Sequence, residues 1–157
     1  MKTIYQTSAG GIVYKQVKNE KLKMKNFLWL ICQHSEHKGW VFPKGLAGDN
    51  DKKESMSQAA LREVEEEGGI KAKIVNKKPI ETKYEYQWPA SAKASAGKKG
   101  TLIKKTVFYY LMEYVSGDPN NHDWEMSEAK FVNADEVKKI LTYPSEKEAF
   151  EKILQRL

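Results

Sequence analysis

Apolar, aromatic and β-branched residues crowd Thr3 to Lys15 and again Phe27 to Gln33, with the charged stretch Lys18 to Lys25 between them. This pattern predicts two strands and a polar connection. A further β-rich stretch runs from Ile74 to Trp88, and the pattern resumes from Leu102 to Val115. Between these lies PASAKASAGKKG, Pro89 to Gly100, which has no apolar periodicity and reads as a loop. Helix starts follow from capping chemistry, in which a short side chain bonds an orphan amide and a Glu or Gln three residues on bonds back. Ser55 with Gln58, Asn133 with Glu136, and Ser145 with Glu148 fit that pattern. After Ser145, Phe150, Ile153, Leu154 and Leu157 recur at the spacing of one apolar helix face. The helix after Ser55 is expected to stop at Gly68-Gly69, where a residue free to adopt positive φ is the usual terminator.

Composition adds mainly exclusions. A chain of 157 residues, 40% hydrophobic and 31% charged, suits one globular domain spanning 1–157 and not a disordered segment. The longest purely apolar run, Phe27 to Cys32, falls short of the roughly 20 residues that cross a bilayer as a helix. The start, MKTIYQTSAGG, lacks the apolar centre of a signal peptide, and Cys32 is the single cysteine, so no internal disulfide can form. A cytoplasmic, reducing location is expected. The net charge of +6, with lysine pairs such as Lys52-Lys53 and Lys104-Lys105, suits an anionic partner or simply a soluble surface. Nucleic acid does not follow from it. Cys32, His34 and His37 lie close in sequence, but without a fourth ligand at the usual spacing no zinc site is expected.

The chemistry concentrates in ESMSQAALREVEEEGGI. With about 100° between successive helical residues, Ala60, Leu61 and Val64 share one arc and Glu63, Glu66 and Glu67 the neighbouring arc, with Glu65 turned away. Carboxylates three and four apart repel by roughly 0.2–0.5 kcal/mol per pair in water. A solvated acidic surface tolerates that; so does a site that holds Mg2+, a cation that prefers a few carboxylates, waters and substrate phosphates as ligands.

The flanks decide between these. Gly48, Glu54, Arg62, Glu63, Val64, Glu66, Glu67, Gly69 and Ile70 reproduce the spacing of the Nudix box, G, five residues, E, seven residues, REUxEExGU, where U is aliphatic. The chain therefore resembles the Nudix hydrolases. The resemblance implies an α/β/α sandwich around a mixed β-sheet, with Glu63, Glu66 and Glu67 as metal ligands and Glu54 and Arg62 bracing loop and helix. Mg2+ would be the cofactor, and Mn2+ a substitute. GWVFPKG also looks like the family's approach to the box, yet eight residues, not five, lie between its Gly45 and Glu54. Either Gly45 keeps its role as a backbone ligand with three residues inserted after it, the reading favoured here, or Gly48 fills the first box position.

SAGG at Ser8 to Gly11, GWVFPKG, KTVFYYLMEY at Lys105 to Tyr114 and HDWEMSEAKFV at His122 to Val132 look like one branch, the asymmetric diadenosine tetraphosphate hydrolases and related diphosphoinositol polyphosphate phosphohydrolases. By that resemblance Glu125 is a further metal ligand or the general base, and Ser8 belongs to the substrate site. Lys44 and Lys105 can meet phosphate oxygens as point charges. Tyr84, Tyr86 and Tyr109 fall in predicted strands, where they form either a face that stacks on adenine or part of a core edge. Water would attack a phosphoanhydride of a nucleoside polyphosphate, giving ATP and AMP from diadenosine tetraphosphate. Inositol pyrophosphates, RNA 5′ ends and oxidised nucleoside triphosphates are the rival substrates, RNA being possible but not favoured. A ligand sensor that has lost catalysis is the non-enzyme alternative, disfavoured because every box glutamate is present.

Overall fold

A computed structural model describes residues 2–19, 24–48, 53–88 and 100–157. The strands are β1 (Thr3–Asn19), β2 (Met24–His34), β3 (Trp40–Val41), β4 (Lys44–Leu46), β5 (Ile70–Ile74), β6 (Ile80–Trp88), β7 (Thr101–Gly117) and β8 (Met126–Val132). The helices are α1 (Met56–Gly68), α2 (Ala134–Ile140) and α3 (Pro144–Leu154).

The strands form one mixed sheet in which β1 runs parallel to β7 and the other strand pairs are antiparallel. The two long central strands each change partner partway along their outer edge. β1 pairs with β4 over Ser8 to Gly10 and with β2 from Tyr14 onward. β7 pairs with β6 up to Tyr109 and with β5 from Met112. The sheet therefore splays near Gly10-Gly11, where the Gly11 amide donates to the Pro43 carbonyl at 3.1 Å and leads β3 into β4. An added Cβ on Gly10 would collide with that Pro43 carbonyl and with Lys44, so the close approach requires glycine.

Alternation along the strands sorts the core into two layers. Ile12, Ile31 and Leu111 face α2 and α3, packing with Val137, Phe150 and Ile153. Val13, Leu30 and Met112 face the other way, against Ala60 and Val64 of α1. Helices thus cover both faces, the α/β/α sandwich around a mixed sheet that the resemblance implies.

Four expectations change. The β1–β2 arms extend through much of the charged stretch, with Lys18 opposite Lys25, because backbone pairing in a hairpin needs no buried side chain. The Ile74 to Trp88 region is two strands with a break between Ile74 and Ile80. Helix α3 starts at Pro144 and not after a Ser145 cap: proline at the first helical position has no amide to satisfy, and Tyr143 before it makes no side-chain cap. Leu157 lies past the end of α3, 52% exposed, and is not part of its apolar face. The loop expected at Pro89 to Gly100 lies outside the described residues apart from Gly100, but β6 and β7 do pair across it, Trp88 opposite Thr101.

Candidate functional site

Helix α1 is delimited by its own sequence. Ser55 Oγ accepts from the Gln58 amide at 3.1 Å while the Ser55 amide donates to Gln58 Oε1 at 2.9 Å, so both halves of the capping box are present. At the other end Gly69, φ 73°, donates its amide to the Glu65 carbonyl at 3.0 Å. Any side chain there would meet the backbone of Asp118 and His122. That contact seats the Asp118–Glu125 segment on the helix end, and the Asp123 amide donates to the Glu66 carbonyl at 2.9 Å.

Arg62 organises the acidic face. Its guanidinium forks onto Glu54 at 2.8 and 3.0 Å, and the remaining nitrogen donates to Glu63 at 2.8 Å and Glu66 at 3.2 Å. The Glu54 hydrogen bond comes first among the causes that make this guanidinium harder to deprotonate than usual. The same bond holds the Glu54 carboxyl below its ordinary value. Glu54 also accepts from the Gly48 amide at 3.3 Å, and Gly48 turns the chain with φ 79°. At Gly45 the constraint is different, since a Cβ would overlap the Glu63 carboxylate, so β4 lies directly on the acidic face. The two glycines between which the box position was divided thus do different work, Gly48 in the loop turn and Gly45 in the close approach.

Glu63 and Glu67 are buried and Glu66 is exposed, while Glu65 is exposed on the far side as expected. Burial pushes the Glu63 carboxyl up to about 7 against the pull of Arg62, and Glu66 and Glu125 raise it further. Burial pushes Glu67 up to about 9, with Glu63 next as a cause; Lys44 and its backbone amide, 3.4 Å from Glu67 Oε1, pull the other way. Glu125 is therefore within electrostatic reach of both buried carboxylates, held by turn contacts in which its amide donates to Asp123 and its carbonyl accepts from Ser35. Two carboxylates raised chiefly by burial, one of them further by the other, call for a compensating cation, and hard oxygen donors suit a divalent ion of the magnesium class. Among the described residues, no three carboxylate, imidazole or thiol side chains are gathered at ligand spacing, and Arg62 takes up one oxygen each of Glu63 and Glu66.

Two ammonium groups border this face. Burial alone lowers Lys44, but Glu146, Tyr84 and Glu67 outweigh it and the net shift is upward. Lys105 is lowered, first by burial and then by Lys44, with Glu67 and Glu63 opposing. On β6, Tyr84 lies opposite Lys105 and stacks on Tyr86, ring centroids 6.2 Å apart and planes 23° from parallel. Tyr84 is half-buried and Tyr86 is 38% exposed. Tyr109 departs from the expected stacking face: it is 1% exposed under α3, its hydroxyl donating to Glu146 at 3.0 Å, and it presents no ring to a base. Ser8 lies in the three-strand row with Val107 and Leu46, and its buried hydroxyl has no hydrogen-bond partner.

The sequence reading missed Glu146 and Tyr143. Tyr143 lies near enough to Tyr84 to affect its ionisation and its hydroxyl sits 3.0 Å from His37 Nδ1, whose ring stacks on His34 at 4.1 Å. Cys32 is buried, its thiol donating to the Glu67 carbonyl at 3.6 Å.

A mixed sheet between helices, with a capped acidic helix laid against a glycine-lysine strand, is the Nudix fold. The chain belongs to the NUDIX domain family, which it matches over residues 6–153. Members typically use a divalent metal such as Mg2+, and the family supports hydrolysis of a nucleoside diphosphate-linked compound. A Mycobacterium tuberculosis relative, provisionally named mutator protein MutT4, is 27% identical over 94% of this chain, and the chain spans only 54% of that relative's length. Among solved structures, a C. elegans Ap4A hydrolase binary complex superposes with a TM-score of 0.65 at 21% identity, covering 96% of each chain. A MutT protein from Methanosarcina mazei gives 0.63 at 19% identity, covering 99% of this chain and 97% of that one. The E. coli dihydroneopterin triphosphate pyrophosphohydrolase gives 0.60 at 15%, covering 98% and 99%. At these identities the structural likenesses establish the fold.

Proposed function

We propose that this chain, acting as one domain in the cytoplasm, hydrolyses a phosphoanhydride of diadenosine tetraphosphate to ATP and AMP. The observation that carries the reading is the juxtaposition of opposite charges: paired buried carboxylates on α1 lie within electrostatic reach of the ammonium groups of Lys44 and Lys105. Glu63, Glu66 and Glu67, with the Gly45 carbonyl, would hold Mg2+, or Mn2+ in its place, and of the two roles open to Glu125 the base is taken here. When bound, the ion neutralises phosphoryl oxygens and lowers the pKa of water. Arg62, fixed by Glu54, keeps the helix and the Gly48 loop in register with β4. Lys44 and Lys105 take the charge of the polyphosphate; Ser8, placed in the substrate site by the resemblance, is fully buried and makes no contact with the ligand. Glu125 accepts a proton from the water as its oxygen attacks phosphorus; one phosphoanhydride bond breaks, and the displaced phosphate leaves as an anion. The stacked pair of Tyr84, opposite Lys105, and Tyr86, two residues along β6, supports a base-bearing substrate, and the shared fold with an Ap4A hydrolase is consistent with it.

The test is Mg2+-dependent product analysis across diadenosine tetraphosphate, nucleoside triphosphates, inositol pyrophosphates and 5′-triphosphorylated RNA. Preferred release of ATP with AMP from the first supports the proposal. Faster cleavage of nucleoside triphosphates overturns the substrate, and no metal-dependent turnover on any of the four overturns the hydrolase reading.

A further inference from the structure

Glu146 is 2% exposed, the least accessible charged side chain among the described residues. It stands in the first turn of α3 on the stripe that continues through Ala149, Phe150 and Ile153, where an apolar residue would pack without cost. Burying a carboxylate costs several kcal/mol unless partners compensate, and well-packed apolar side chains often replace such groups without loss. The partners here are specific. Glu146 Oε1 accepts from the Phe42 amide at 2.9 Å and from the Tyr109 hydroxyl at 3.0 Å, and it lies 3.5 Å from Lys44 Nζ, while Oε2 has no partner. Two neutral donors would be served as well by a glutamine, so the charge itself has one evident recipient, the Lys44 ammonium.

The backbone around Lys44 is tied on both sides. The Phe42 amide is bound to Glu146, the Pro43 carbonyl to Gly11 and the Lys44 amide to Glu67. The lysine thus bridges the two layers, its amide on the acidic face of α1 and its ammonium drawn toward α3. At 3.5 Å the ion pair is longer than the about 2.7–2.9 Å of a tight charge-assisted bond, and an ammonium has three donors to offer. Glu146 can therefore hold the ammonium without saturating it.

We propose that Glu146 is a positioning residue that sets the Lys44 ammonium for a polyphosphate ligand. This rests on the reading of Lys44 as a phosphate-binding group. The test is a double-mutant cycle on Lys44→Met and Glu146→Gln, read as Mg2+-dependent binding of inorganic tripolyphosphate by calorimetry, beside KM and kcat for diadenosine tetraphosphate and the melting temperature. Lys44→Met is expected to weaken tripolyphosphate binding by on the order of tenfold, and Glu146→Gln alone by a similar factor, since contacting charged pairs couple at that scale. With Lys44 already replaced, Glu146→Gln should change the affinity no further. In the otherwise unaltered protein it should raise KM more than it lowers kcat.

An undiminished second loss in the Lys44→Met background overturns the inference, as does a Glu146→Gln protein that loses melting temperature but keeps its affinity. No effect of Lys44→Met, or no tripolyphosphate binding by the unaltered protein, overturns the reading of Lys44 and the inference with it. If Glu146→Gln does not fold, Glu146→Asp, which keeps the charge but withdraws it by one methylene, carries the same cycle.

Discussion

The protein keeps two clusters of buried charge on opposite layers of one sheet, and they are built to opposite rules. On the α1 layer one guanidinium serves Glu54, Glu63 and Glu66 while burial, with Glu63 next, raises Glu67, so carboxyl groups outnumber the cation that serves them. On the α3 layer one carboxylate serves one ammonium, with two neutral donors closing most of the remaining need. The first arrangement is incomplete by itself and invites a cation. The second completes itself and fixes a lysine that reaches back to the first. An excess of negative charge beside two ammonium groups is complementary to a metal polyphosphate, a ligand that carries both signs.

The sharpest way to break this contrast is to remove charge from the incomplete cluster. Glu67→Gln or Glu66→Gln is expected to lower kcat by roughly two orders of magnitude or more in the presence of Mg2+ with the fold retained, since each deletes a charge meant for the metal. Glu65, exposed on the far side of the helix, is the control, and Glu65→Gln should leave kcat within about twofold. Comparable losses at Glu65 and Glu66 would refute the assignment of the helix face.

Replacing the organiser should instead show in stability. Arg62→Lys keeps a positive charge but cannot reproduce the fork onto Glu54 together with the bonds to Glu63 and Glu66, and a partly buried pair broken this way costs about 2–4 kcal/mol. Denaturant unfolding of the metal-free protein measures it. A loss under about 1 kcal/mol would mean that Arg62 is no more than an exposed surface ion pair.

How these clusters stood in the sequence follows from what each signal measures. The box spacing and the caps at Ser55 and Gly69 fix helix length and phase, so the acidic arc was legible as a unit. Helical phase does not report depth: Glu63 and Glu67 are buried because β4 lies on them, and Glu66 on the same arc is exposed because nothing does. Strand alternation places Tyr109 and Lys105, four residues apart, on one face of the sheet, but it carries no record of where α3 ends over that face, which is what separates core from site. Glu146 had a signal that went unused. It precedes Phe150 by four and Ile153 by seven, on the apolar stripe, but an acidic residue in the first turn of a helix is also ordinary on a solvated face. The family match over residues 6–153 agrees with the box, while the substrate branch, read from flanking motifs, stands as a proposal.

Recognition at the aromatic edge should be separable from both clusters. Tyr84→Ala is expected to raise KM for diadenosine tetraphosphate by an amount equivalent to roughly 1–3 kcal/mol, the scale of base-aromatic stacking, and Tyr86→Ala by less if the more exposed ring contributes less. Tyr84→Phe, which keeps the ring, should stay within about threefold of the unaltered KM. If neither alanine variant shifts KM while the melting temperature falls, these rings are packing and the base-bearing substrate loses its support.

The smallest effect separates the clusters by pH. Glu63 and Glu67 have folded values near 7 and near 9, both above the ordinary 4.5, chiefly because burial disfavours their charged forms. Between the ordinary and the folded values the native protein holds more protons than the unfolded chain, so stability declines as pH rises through that window. Metal-free protein in chelator should therefore melt progressively lower from about pH 5 to about pH 9, by a few degrees. Glu54, lowered by its hydrogen bond to Arg62, acts in the opposite sense, and only at the acid end. Glu67→Gln, neutral at every pH, should flatten the decline above about pH 7, since Glu63 has by then largely titrated. Mg2+ requires deprotonated ligands, so it should raise the melting temperature more at about pH 8 than at about pH 5.5. A metal-free melting temperature that climbs steadily across the same range would mean that these carboxylates stay ionised in the folded protein, and the α1 cluster would then be no less complete than the α3 cluster it is contrasted with.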